Sequence, residues 1–396
     1  MRIGPPKMTK SGDRIRWAVV VDGKSELPEQ LWFEVSDSHE GLITERADPA
    51  VIGLLIPAML HGESIEIDGQ VTDELLHSLT HGYQQILATV LSRVREISID
   101  AHSVLRPAPP AAGVATGFSA GVDSFAVLAE HHYSPVPPGL RLTHLTLFNV
   151  GATGSGNAGR RDFERLHELL SPTTEQIGLP LVAVDSNLDD FYPSNFFRQS
   201  HGPRNLAAAA LLMGGIGRYL AAGSYAFRDL GVFASPTTGH ADSIATPLLV
   251  NSQFHPSSHG DRLTRAQKTV LIAGIPAARQ SLNVCTWLPA HGRNCSTCYK
   301  CLRTQLTLEI AGQLDAYSER FDLDAYRAVR GKFIDRVITI NEPYHIEIRE
   351  FAADLGYSLP SGWSAVVRRA GRGIRHRIDL MVRRLRAVAS TRTLPE

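Results

Sequence analysis

The chain has 396 residues, with 40 Lys and Arg against 40 Asp and Glu, 43% hydrophobic and 20% charged residues. A chain of this length can bury a large core in two or three domains of ~150 residues each. The composition excludes disordered, collagen-like and coiled-coil classes. The sequence has no run of about 18 uncharged apolar residues that could cross a bilayer. Its first residues, MRIGPPKMTKSGDRIRW, lack the apolar stretch of a secretory signal, so the expected location is the cytoplasm.

In chain order, residues 1–105 read as a small α+β domain. WAVVV (17–21) and LWFEV (31–35) are predicted strands, bounded by Asp22-Gly23 and Asp37-Ser38. AVIGLLIPAML (50–60) is a predicted helix that Pro57 is expected to kink or divide. SIEID (64–68) is a strand. Leu75, Leu76, Leu79, Tyr83, Ile86 and Leu87 keep helical spacing. The segment carries no evident chemistry and is expected to pack or to frame a substrate. RPAPPAAG (106–113) reads as a linker.

Beyond the linker the pattern alternates. GVATGF (113–118) is a strand and VDSFAVLAEHH a helix. LRLTHLTLFNV (140–150) is a strand, followed by a Gly-rich loop and a helix near 158–170. LPLVAVDS (179–186) is a strand, RNLAAAALLMGGIG opens a helix, YLAAGS (219–224) is a strand, and TPLLV (246–250) is a fifth candidate. Repeated strand–helix units predict an α/β fold, a doubly wound parallel sheet over 114–315 with ligands at the C-terminal ends of its strands. A helical extension follows over 316–365. In the tail (366–396), Val366–Val388 carries eight Arg and one Asp, which leaves the rest of the chain acidic. Ile374, Ile378, Met381, Leu385 and Val388 step by four and three, one apolar stripe on a basic helix. Such a tail suits a solvated helix, an anionic membrane surface, RNA or a protein partner.

Chemistry concentrates in two places. The first is Gly117-Phe118-Ser119-Ala120-Gly121-Val122-Asp123-Ser124, between a predicted strand and a predicted helix. Small residues there let backbone N–H groups approach a phosphate, and the helix N-terminus adds its positive dipole end. Ser119 and Ser124 offer hydroxyl donors. Asp123 beside an anion calls for a bridging cation such as Mg²⁺. The same residues fit the nucleophile elbow G-x-S-x-G, with Ser119 as nucleophile and Asp242 with His255 or His259 completing a triad. A tight turn without a ligand is the plain alternative.

The second place is Cys285, Cys295, Cys298 and Cys301, all four cysteines of the chain within 17 residues. The spacing C-x9-C-x2-C-x2-C suits one tetrahedral Zn²⁺ closed to water. An iron–sulfur cluster or unliganded thiols are the alternatives.

Ser-Ala-Gly-Val-Asp-Ser resembles the signature loop of the PP-loop ATP pyrophosphatases, Ser-Gly-Gly-x-Asp-Ser, with Ala120 in place of the second glycine. Asn294-Cys-Ser-Thr-Cys-Tyr-Lys-Cys-Leu-Arg-Thr304 resembles the zinc motif of one branch of these enzymes, the cyano-deazaguanine synthases, with Ser296 in place of a glycine. The resemblance spans roughly 113–315. It implies an adenine nucleotide alpha hydrolase-like fold and ATP, Mg²⁺ and Zn²⁺ as cofactors. It further implies adenylation of a carboxylate with release of pyrophosphate, then nitrogen transfer to give an amide or nitrile. That family's substrate-framing Tyr-Pro-Asp-Cys-Arg has no counterpart here, and Leu263-Thr264-Arg265 stands where it has Leu-Thr-Lys.

On this reading residues 118 to 124 (Phe118, Ser119, Ala120, Gly121, Val122, Asp123, Ser124) hold phosphates, with Asn149, Gly151, Asp185 and Gly223 at the ends of later strands completing the nucleotide site. Gly154 and Gly156 are expected to line the same cleft. Asp123, Ser124, Arg265, Lys268 and Arg303 are the candidate catalytic residues, the cationic ones neutralising pyrophosphate. Arg204 and Asn205 are read as opening a helix near the site, contacting substrate or capping. His240, His255 and His259 read as a loop. The partners expected are ATP, a small-molecule substrate and a second copy of the chain as a homodimer. Rival functions are sulfur transfer to a nucleoside or tRNA, a non-catalytic ATP-binding module, and a serine hydrolase.

Overall fold

The computed structural model describes residues 1–24, 26–106, 108–285 and 292–359. The chain forms two compact units, Met1–Val284 with Leu288–Arg293, and Cys285–Trp287 with Asn294–Glu396.

The strands of the first unit are β1 (Arg2–Ile3), β2 (Lys7–Ser11), β3 (Arg14–Asp22), β4 (Gln30–Ser36), β5 (Ile65–Thr72), β6 (Ile99–Leu105), β7 (Gly113–Gly117), β8 (His144–Phe148), β9 (Leu181–Ser186), β10 (Ile216–Ala222) and β11 (His255–His259). They join in one sheet in the order β11-β10-β7-β8-β9-β4-β3-β1-β5-β6, with β2 also on β3. From β11 to β9 every pairing is parallel. Across β9, β4, β3 and β1 it is antiparallel, and β1, β5 and β6 are parallel again. The sheet is therefore mixed, not purely parallel.

The central strands β7 and β8 are almost wholly buried, as their unbroken apolar character requires of strands covered on both faces. The helices are α1 (Asp48–His61), α2 (Asp73–Ser78), α3 (Gln84–Val90), α4 (Val122–His131), α5 (Gly156–Ile177), α6 (Phe197–Leu211), α7 (Asp242–Ala245), α8 (Arg265–Ile272) and α9 (Pro276–Ser281). The chain runs β7-α4-β8-α5-β9 outward, then α6 returns it past β7 to β10. Right-handed crossovers place α4 and α5 on one face and α6 on the other. The order reverses at β7, with β8 on one side and β10 on the other.

The N-terminal segment, expected as a separate domain, is continuous with this sheet. Phe33, Glu34 and Val35 of β4 pair with Ser186, Asp185 and Val184 of β9. One core cluster holds Trp17, Phe33 and Leu54 beside Val182, Val184 and Leu206. Helix α1 packs on α6 because both offer small residues there. A Cβ at Gly53 would lie 3.3 Å from Ala207 Cβ, and Tyr192 donates a 2.6 Å hydrogen bond to the Gly53 carbonyl. Pro57 lies inside α1 without dividing it.

Two expectations change further along. TPLLV forms a 3-10 turn over Thr246–Leu249, not a strand. The fifth parallel strand is β11, whose sequence HPSSH had read as loop. It has no apolar alternation; the open backbone edge of β10 recruits it, with Arg218 opposite His255 and Ala222 opposite His259.

In the second unit α10 (Tyr299–Ile310), α11 (Leu323–Thr339) and α12 (Pro343–Asp354) pack around Leu306, Ile310, Phe333, Ile334, Val337 and Ile348. The basic tail and residues 360–365 of the expected helical extension lie outside the described residues. Among the described residues no helix is long and apolar enough to cross a membrane.

Candidate active site and metal centre

The loop at 118–121 leaves the C-terminal end of β7, the strand where the sheet order reverses, and runs directly into α4. In open α/β sheets ligands bind in this crevice. Gly121 is the N-cap of α4 and no side chain caps the helix, whose N-terminus presents the positive end of its dipole here. Ala120 has φ 53°, a left-handed backbone that favours glycine. Its carbonyl accepts from Asn283 N at 2.8 Å. The loop is further tied by Phe118 N to Thr146 O at 2.8 Å, and by Ser124 Oγ, which donates to Gly121 O at 3.0 Å. Phe118 is buried edge-on to Phe125, while Ser119 is exposed and makes no side-chain hydrogen bond among the described residues.

A cavity of about 310 Å³ opens beside this loop. Gly117, Ser119 and Asp123 border it from β7 and α4, Phe148 and Thr153 from the end of β8, and Gly223 and Ser224 from the end of β10. Phe163 and Leu166 of α5 and Tyr219 give it an apolar wall; His201 and Asn205 of α6 and Asp242 of α7 give it a polar one. Burial pushes the Tyr219 phenol up to about 12, so it remains a neutral wall. A size of about 300 Å³ and mixed walls are typical of small-ligand sites.

Asp123, in the first turn of α4, meets two bases from α8. Arg265 pairs with its Oδ2, and Lys268 Nζ lies 3.5 Å from its Oδ1. Arg265 and Lys268 stand three apart, so they share one face of α8. A capping box fixes the start of that helix, with Thr264 Oγ1 accepting from Gln267 N and Gln267 Oε1 accepting from Thr264 N. One carboxylate, two bases and a helix N-terminus without a side-chain cap fit a magnesium-bound polyphosphate, because Mg²⁺ is usually held by one or two carboxylates plus phosphate oxygens.

The other expected nucleotide residues divide. Gly223 lines the cavity, and its carbonyl accepts from Lys268 Nζ at 2.7 Å. Asn149 borders a separate polar cavity with Trp32 and Arg160. Asp185 is buried and already engaged by Asn149 Nδ2 at 2.6 Å, Ser186 N at 2.9 Å and Arg160 Nε at 2.8 Å. Gly151 has φ 105°, and a Cβ there would meet Asp189 and Arg204. Gly154 and Gly156 border the smaller cavity.

Arg204 corrects its expectation. It lies inside α6, not at its start, wholly buried, paired with Asp189, donating to Val150 O at 3.0 Å and stacked 3.7 Å over Tyr192. It braces the loop after β8 from below. Asn205 donates to His201 O at 2.7 Å and lines the cavity. The hydrolase triad is not assembled: Asp242 pairs with His201 at 3.4 Å, and His259 with Ser257 at 2.9 Å. His240 stacks on Tyr225 and bonds to Asp229 O.

Comparison with family models, with curated proteins and with solved structures gives no match.

The four cysteines come together in the second unit, each offering a sulfur within 4.8 Å of the others. Cys298 stands at the N-cap position of α10, Cys301 sits in its first turn, and Cys298 N donates to Cys295 Sγ at 3.3 Å. The Cys295–Cys301 and Cys298–Cys301 sulfur distances are 3.8 and 3.4 Å. Thiolates at tetrahedral corners ~2.3 Å from one Zn²⁺ stand roughly 3.8 Å apart. A [4Fe–4S] cluster puts each thiolate on a different iron and holds all four farther apart. The cysteine set therefore fits a single ion such as zinc. The hydrogen bond to Cys298, burial and the other thiols push the Cys301 thiol well up, so four thiolates need a cation between them. Ser296 has φ 65°, and its Oγ accepts from Asp322 N at 2.7 Å. Arg303, expected to act in catalysis, lies in this unit, buried 4.0 Å over the Tyr344 ring.

Sequence reading missed His201, Ser258, Phe163 and Tyr219 as cavity residues and took Asp242 only as a triad member. No motif marks those four; they come from separate elements that only the fold gathers.

Proposed function

We propose that this chain is an ATP-dependent enzyme of the PP-loop type. It adenylates a carboxylate or carbonyl-type group with release of pyrophosphate, ammonia displaces AMP to form an amide, and further ATP activates the amide oxygen for loss to give a nitrile. The observation that carries the reading is the loop Ser119–Ser124 at the reversal point of the parallel strands, with Asp123, Arg265 and Lys268 converging beside a cavity. The resemblance of this loop and of the cysteine knuckle to the cyano-deazaguanine synthases supports the same reading.

In this scheme the backbone of the loop and the first turn of α4 bind the polyphosphate. Asp123 holds Mg²⁺, which supplies charge neutralisation between the phosphates. A carboxylate is a poor electrophile, and joining it to AMP provides a leaving group. Arg265 and Lys268 stabilise the charge on the departing pyrophosphate. Phe148, Phe163 and Tyr219 give the cavity an apolar wall suited to a flat ring. The cysteines hold Zn²⁺ as a closed structural site and do no chemistry. With all four thiols committed to one ion, sulfur transfer has no free cysteine to use, which favours nitrogen transfer.

The test is a pyrophosphate-release screen against carboxylated aromatic heterocycles and other small acids, with ammonium present and Asp123→Ala as control. A stimulating acid, with release abolished in Asp123→Ala, is expected. Full activity in Asp123→Ala, or labelling of Ser119 by a fluorophosphonate, overturns the reading.

A further inference from the structure

The loop between β11 and α8 carries a buried carboxylate that the scheme above does not use. Asp261 is 3% exposed, and its Oδ1 has no hydrogen-bond partner among the described residues. It is pressed against Gly223: a Cβ there would lie 1.5 Å from Asp261 Oδ1. Gly223 is thus a glycine because this carboxylate takes the space of its side chain. On the same residue, the carbonyl of Gly223 accepts from Lys268 Nζ at 2.7 Å. Lys268 is 1% exposed, and Gly260, at φ 86°, leaves room along its Cε and Nζ. Asp261 and Lys268 are close enough to interact electrostatically. The Asp261 carboxyl lies above the usual carboxylate range, because burial outweighs the pull of Ser258, Lys268 and Ser243.

We propose that Asp261 is a positioning residue: it holds the Lys268 ammonium, through the shared contact with Gly223, at the place where the β and γ phosphates of a nucleotide bind. The proposal rests on the nucleotide reading of the loop. Two acids, Asp123 and Asp261, face two bases, Arg265 and Lys268. Asp123 is shared by both bases. When Asp123 turns to a magnesium-bound polyphosphate, Asp261 is the acid left beside Lys268. A buried ammonium left without one is strongly disfavoured. Ser258, which lines the cavity, accepts from Ser243 at 2.9 Å and is a further neighbour of the Asp261 carboxyl.

The experiment is equilibrium binding of AMP-PNP with Mg²⁺, and of AMP, to the full chain and to Asp261→Asn, Lys268→Met and the double variant. AMP lacks the phosphates that Lys268 meets. Asp261→Asn is expected to weaken AMP-PNP about tenfold while changing AMP less than about twofold, and to add nothing in the Lys268→Met background. Asp261→Ser removes the charge with a smaller polar side chain and is expected to give the same pattern; it decides the matter if Asp261→Asn does not fold. Unchanged AMP-PNP binding, equal losses for both nucleotides, or additive losses in the double variant overturn the proposal. A wild-type chain that binds neither nucleotide overturns the loop reading and this proposal together, whereas wild-type binding with an indifferent Asp261→Asn overturns this one alone.

Discussion

Ala120 holds a left-handed backbone that glycine adopts more readily. Its φ of 53° costs an L-residue roughly 1–2 kcal/mol, part of which glycine would return as extra freedom of the unfolded chain. Ala120→Gly is therefore expected to raise stability by up to about 1 kcal/mol, read by denaturant unfolding, with nucleotide binding retained. His259 makes a second residue-scale case. Burial, with His131 edge-on at 4.5 Å, pushes its imidazole down to about 4. The unfolded chain takes up this proton near pH ~6.5, and the folded one only near 4. Stability contributed by the neutral ring is full above that window and is lost as pH falls through it. Unfolding curves from pH 7 to 4 should show a shallower acid decline in His259→Gln than in the wild type. An identical decline would mean that another group sets it. At this scale the strand-to-helix loop at 118–121 and the cluster of four cysteines were legible, since each is a local string set by adjacent residues.

Among elements, α8 decides how the loop meets its counter-charges. Its capping box fixes the register in which Arg265 and Lys268 face Asp123. Thr264→Ala is expected to cost about 1 kcal/mol, seen in thermal unfolding, and to weaken AMP-PNP more than AMP. Strands β7 to β10 were readable because strands buried on both faces are runs of apolar residues. Strand β11 was not, because an edge strand is selected by the open hydrogen-bonding edge of β10 and needs no apolar pattern. The same logic misplaced Arg204: the run RNLAAAALL is helical, but the helix starts at Phe197, so Arg204 lies a turn and more inside it and is buried.

At the scale of the molecule the two units rest on different forces. The first has an extensive apolar core running from Ile3 to Phe254. The second has a much smaller one, together with a cysteine cluster that suits a metal and the ring of hydrogen bonds around Glu309 from Arg330, Tyr326 and Tyr357. A small core leans on its metal. Removing metal with a strong chelator, or Cys298→Ser, should therefore lower one thermal transition and leave the other in place. Metal analysis should give about one zinc per wild-type chain, matching a single four-thiolate site, and less in the variant. A single transition shifting as a whole would show that the metal stabilises both units.

By itself the sequence determined the strand-loop-helix at 113–131, the alternation that follows it and the cysteine knuckle, because each depends on spacing within one or two elements. Tertiary structure alone decided that β4 joins β9, that the cavity draws His201, Asp242 and Ser258 to the loop, and that Asp261 stands where a side chain at Gly223 would be. Those are pairings between segments tens to more than a hundred residues apart. They are set by which backbone edges and surfaces remain unsatisfied once the local elements have formed, and no local pattern encodes that.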